Sequence, residues 1–172
     1  MITYRLFRVT CSDCIAYTLA ENVSDAADNI ANSDKKAEIL DVAEVTTPRR
    51  YAVMGDTLGF VHEGVDCLCV ISARTESQRV IPMESAQVRT ATFADFLKAH
   101  AQIRQIEQAF LLYSPNESSL NFGDGYWTSS GWGCLEDALM FTQEETSTFR
   151  LAPSAGRDAR FVSAPDCSVS DC

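Results

Sequence analysis

No lysine or arginine occurs between Arg104 and Arg150, although the interval holds Glu107, Glu117, Asp124, Glu136, Asp137, Glu144 and Glu145. Basic residues are scarce throughout, 14 against 24 acidic ones, for a formal charge of −10. A classical nucleic-acid binder is thereby excluded, because phosphate contacts need a basic surface. No apolar run is long enough for a membrane helix. Met1 to Thr10 alternates and carries Arg5 and Arg8, unlike a signal peptide, so a cytoplasmic protein is expected. Histidine is limited to His62 and His100. No phosphate loop, dinucleotide fingerprint or zincin helix motif is present, and Gly123-Asp124-Gly125 is too short to cradle a phosphate. A non-enzymatic protein is the expectation.

The seven cysteines are an odd number, and a cytoplasmic protein keeps them reduced, so disulfides are not expected to frame the fold. Cys11-x-x-Cys14 supplies the spacing of half a zinc site, with Cys67 and Cys69 as the other half and His62 as a substitute ligand. Against zinc, Ile15 stands where a knuckle has glycine, and the second pair is one residue too tight. No cofactor is therefore the first expectation, and a zinc-stabilised interaction module the alternative. Any cysteine can be paired with either histidine to draw a nucleophile, so that pairing identifies nothing.

What is present reads as an α+β fold. Residues 1–47 form a β-β-α-β unit: strands at Ile2 to Val9 and Ile15 to Ala20, a helix capped at Ser24, and a strand from Ala37 to Thr47. Pro48-Arg49-Arg50 marks a joint. Residues 51–162 continue with short antiparallel strands, Tyr51 to Met54, Leu58 to His62, Val65 to Ser72 and Arg79 to Pro82. One long central helix is expected over 92–113, capped by Thr92 and ended by Ser114-Pro115, because Phe93, Phe96, Leu97, His100, Ile103, Glu107, Phe110 and Leu111 fall at helical spacing, six of the eight strongly apolar. His100 on that stripe reads as a core or boundary residue. Asn116 to Gly125 reads as loop, Tyr126 to Phe141 as a hairpin, and Gln143 to Arg150 as a short helix opened by a Thr142/Glu145 capping box. Residues 163–172 read as a flexible tail.

Gly125-Tyr126-Trp127, Gly131-Trp132-Gly133, Ala138, Phe141-Thr142-Gln143-Glu144-Glu145 and Leu151 resemble a tail segment of small orphan proteins encoded by bacterial phages and plasmids. In those, a G-W turn leads through "A-x-x-F-T-x-E-E" to a short helix, then "L-P-x-G" and an aromatic. Here Ala152 intervenes before Pro153, and the aromatic is Phe161. The resemblance implies a mobile-element origin and assigns no active site.

The function expected is an acidic inhibitor that binds a host protein with a basic surface, such as a CRISPR effector, without touching nucleic acid or membrane. It is an anti-CRISPR-like role that includes nucleic-acid mimicry. The partner-binding candidates are Glu117, Asp124, Glu136, Asp137, Glu144 and Glu145 for charge, with Tyr126 and Trp127 as anchors. An enzyme with an unrecognised site is a further alternative; a pocket gathering His62 or His100 with carboxylates would mark it.

Overall fold

A computed structural model describes residues 4–71, 78–83, 87–99, 109–122, 124–151 and 156–164. The opening unit is β1 (Arg5–Cys11), β2 (Ile15–Ala20), α1 (Val23–Ser33) and β3 (Ile39–Glu44), in an antiparallel sheet of order β2-β1-β3. Ser12-Asp13 turns the first hairpin, closed by the Cys11 N–H donating to the Cys14 carbonyl at 2.8 Å. Asn22, not Ser24, caps α1, its side chain accepting from the Asp25 N–H.

β4 (Arg49–Met54), β5 (Thr57–His62), β6 (Cys67–Ile71), β7 (Gln78–Pro82) and β8 (Val88–Thr90) make a second antiparallel sheet of order β7-β6-β5-β4-β8. Its side chains alternate as strand geometry requires. Tyr51, Val53, Leu58, Phe60, Cys67 and Cys69 enter the main core, where they meet Leu6 and Leu19 of the first sheet. Ala52, Val61, Leu68 and Val70 enter a smaller cluster on the opposite face. Both faces of the sheet are thus apolar and buried. Gly59 is required by the closeness of β6, since a Cβ there would lie 2.4 Å from the Cys69 carbonyl oxygen.

α2 (Phe93–Ala99) packs Phe93, Phe96 and Ala99 into the main core. Thr92 caps it: the Asp95 carboxylate accepts from the Thr92 N–H at 2.9 Å and forms a bidentate pair with Arg89. β9 (Phe110–Tyr113), β10 (Tyr126–Thr128), β11 (Gly131–Gly133) and β12 (Arg160–Ser163) form the third antiparallel sheet, of order β11-β10-β9-β12. Between them lie α3 (Pro115–Leu120) and α4 (Gln143–Thr148).

Residues 138–142 join the second and third sheets. The Met140 N–H donates to the Ala91 carbonyl, the Phe141 N–H to the Phe110 carbonyl, and the Thr142 hydroxyl to the Arg49 carbonyl. Thr142 and Glu145 form the expected capping box of α4.

The α+β reading with one long central helix is overturned. Among the described residues the fold is mostly β-sheet, with three antiparallel sheets, twelve strands and four short helices. The described part of the helix expected over 92–113 is α2 alone, and residues 110–113 are strand. The run Phe110-Leu111-Leu112-Tyr113 is contiguous and apolar, so it satisfies a helical stripe and a buried strand equally. His100 lies outside the described residues. Ser163 ends β12, and the expected tail lies outside the described residues from 165 onward. No helix among the described residues is long and apolar enough to cross a membrane.

Candidate functional site

The acidic interval is built on the β10–β11 hairpin and α3. β10 pairs β11 with Tyr126 opposite Gly133 and Trp127 opposite Trp132. The register ends there, at the open end of the hairpin that Asp124 leads into. The Asp124 N–H donates to the Asn121 carbonyl at 3.2 Å, so the end of α3 meets the same open end of the hairpin. Glu117 on α3 and Asp124 sit at that end; Glu136 and Asp137 lie beyond β11, where the Glu136 carbonyl accepts from the Ala94 N–H at 3.0 Å beside α2. Asp124, Glu136 and Asp137 are exposed and Glu117 is half-exposed. None of the four has a basic partner among the described residues; Asp137 only accepts from the Cys134 thiol and Glu117 from the Asn121 amide.

α3 has no apolar stripe, and its position comes from polar and steric contacts. Buried Ser114 is its N-cap, accepting from the Glu117 N–H at 3.2 Å and donating to Asp158 at 2.8 Å. The Asn116 N–H donates to the same carboxylate, and that bond leads in holding Asp158 below the usual carboxylate range. Gly125 lets the helix approach β10, since a Cβ there would come within 2.6 Å of the Ser114 carbonyl oxygen.

Glu144 and Glu145 do not belong to this group. Glu144 pairs with Arg49 at 3.3 Å, and Glu145 is turned inward onto the Thr142 N–H at 2.8 Å. Burial raises the Glu145 pKa, against the opposing Thr142 bonds. The aromatic pair also divides. Tyr126 leans on the main core and on Tyr113, ring centres 5.0 Å apart, while Trp127 meets Trp132 edge-on at 5.1 Å. As neighbours on a strand they face opposite ways, so they do not form one anchor.

Two large apolar side chains in the same interval are more exposed: Leu120, 73% exposed, and Phe122, fully exposed at 104%. Sequence reasoning passed over them because Asn116 to Gly125 read as loop. The available signal was two large apolar residues set among Ser, Asn and Gly, with no periodic partner to bury them.

The other place where chemistry gathers is a cleft of about 290 Å³ between the first two sheets. Its walls carry the Arg5–Glu44 pair at 2.6 Å, the Arg49–Glu144 pair, His62 and Cys69. Thr47 offers its carbonyl to His62 Nδ1 at 3.0 Å. A carbonyl only accepts, so Nδ1 carries the hydrogen and Nε2 keeps a lone pair. Burial leads in lowering the His62 pKa, and the Thr47 carbonyl opposes it. This is the gathering of histidine with carboxylates that would mark an enzyme. Both carboxylates, however, are engaged by arginines. Cys69 is kept a thiol, its pKa raised first by contact with Cys67 and then by burial. Within this cleft, among the described residues, His62 faces no acid free of an arginine.

The four cysteines of the zinc alternative are split. Cys11 and Cys14 sit at the β1–β2 turn and Cys67 and Cys69 on β6. Among the described residues no group of three or more His, Cys, Asp or Glu side chains is placed to hold a metal ion. No family model, no curated protein and no solved structure matches the chain.

Proposed function

We propose that the chain is a non-enzymatic binding protein of a bacterial phage or plasmid. It docks its acidic face on a basic surface of a host nucleic-acid-handling defence complex, such as a CRISPR effector, and inhibits it in the cytoplasm. One observation carries the reading: Asp124 meets the end of α3, the helix of Glu117, and exposed Glu136 and Asp137 follow, in an interval from 105 to 149 without any basic residue. Like charges left unneutralised on a surface cost folding free energy through repulsion, and they raise encounter rates with an oppositely charged partner. The mobile-element origin rests on the resemblance of the G-W and F-T-x-E-E segment. The acidic field repels phosphate, so the target is protein and not nucleic acid.

The test is affinity capture from a nuclease-treated bacterial lysate carrying CRISPR effectors, with salt raised stepwise. A basic nucleic-acid-binding protein is retained at low salt and released as salt rises. The double variant E117K/D124K weakens retention more than the double variant D25K/D28K on α1. Retention indifferent to salt, or equal loss in both variants, would sink the reading.

A further inference from the structure

Resting on the reading that the acidic face docks on a protein, we propose that Phe122, with Leu120 beside it, is the apolar anchor of that docking. Its seat is an apolar socket edged by lysine or arginine on the partner. The first observation is exposure: these are the two most exposed large hydrophobic residues among those described. The second is backbone. Asn121 closes α3, its N–H and its Nδ2 each donating to the Glu117 carbonyl at 2.9 Å. Phe122 follows with φ at 54°, the sole non-glycine residue at positive φ among those described. That position after a helix cap is ordinarily glycine, because a Cβ is disfavoured there. Here glycine arrives one residue late, as Gly123. Folding therefore tolerates a strained, unburied phenylalanine, and such outliers cluster at binding sites.

The platform beneath it is held in place. Ser114, Asp158 and Gly125 fix α3, so little backbone freedom is lost when Phe122 is covered. Charge selects the occupant. Glu117 lies five residues before Phe122 and Asp124 two residues after it. A second copy would bring acids against acids, and an anionic lipid surface would be repelled likewise. A protein surface with a basic rim around an apolar pocket complements both features.

The experiment places photoreactive p-benzoylphenylalanine at position 122 of the full chain, with a second probe at exposed Leu40 of β3 as control. Both are irradiated in the nuclease-treated lysate, and adducts are mapped by mass spectrometry. The expected adduct joins position 122 to an apolar peptide flanked by Lys or Arg. Excess unmodified chain competes it away, and Phe122→Gly competes about thirtyfold less well, as for a hot-spot residue. The same variant melts about 2 °C higher, because glycine relieves the left-handed position, so weaker competition cannot be ascribed to unfolding. Equal competition by Phe122→Gly overturns the anchor while leaving salt-dependent retention intact. Adducts within a second copy, or no excess over the Leu40 probe, overturn it as well. Absence of any low-salt retention by the unmodified chain fails the acidic-face reading itself, and the anchor with it.

Discussion

Asp95 ties α2 to β8, and its charge is linked to stability in a way that can be worked out. The carboxylate is 9% exposed. Burial alone would raise its pKa. The Arg89 guanidinium, with the Thr92 N–H and hydroxyl, outweighs burial and brings it to about 2, against an ordinary value of 3.8. A depressed carboxylate stabilises the fold above its unfolded pKa, and that contribution fades as pH falls through the folded pKa. The difference corresponds to about 2 kcal/mol at pH 7. The Arg89 side chain is 56% exposed, so water screens the pair and this figure is an upper bound. By the same linkage roughly half of it remains at pH 3 and about a sixth at pH 2. Asp95→Asn keeps the shape and one acceptor while abolishing the titration. Urea unfolding of both proteins, followed by tryptophan fluorescence from pH 7 down to pH 2, should show a stability gap that closes along this curve. A gap of constant size across that range would refute the reasoning, because the loss would then be one of packing or capping and not of charge.

Gly59→Ala is expected to destabilise by roughly 1–3 kcal/mol, since its Cβ would collide with β6 backbone; denaturant midpoints decide, and an unchanged midpoint contradicts the register of β5 on β6. An NMR titration of His62 should give a midpoint below 6.5 with the hydrogen on Nδ1, because burial disfavours the cation. A midpoint above that value would mean that the Thr47 carbonyl and not burial governs the ring. His62 then contributes stability above its unfolded pKa that is lost as pH falls through its folded pKa, so His62→Gln should flatten the pH dependence of stability on the acid side of 6.5.

Local signals were legible where they act over a few residues. The alternation from Arg5 to Val9, the turn at Ser12-Asp13 and the Thr142/Glu145 capping box all carry their own geometry. What was not legible depended on distant partners. α3 is six residues with no apolar stripe, and its N-terminus is completed by Asp158, more than forty residues away in sequence. Phe110 to Tyr113 became strand because β12 and the 138–142 strip supply its backbone partners. The acids of the candidate site were readable as residues but not as a group. Only the bond from the Asp124 N–H to Asn121 brings Asp124 to the end of α3, and only the structure shows Glu144 and Glu145 spent on Arg49 and Thr142.

The strip at 138–142 also bears on the order in which a growing chain acquires its structure. Thr142 closes on Arg49 across ninety-three positions of sequence. On the ribosome, β4 and β8 emerge and pair long before that partner exists. The edge of the second sheet must wait, unsealed, until residue 142 has been made. Chains dominated by such distant pairings fold slowly, and their waiting edges invite aggregation. Synthesis rate and chaperone supply should therefore affect yield of this protein more than its final stability alone would indicate.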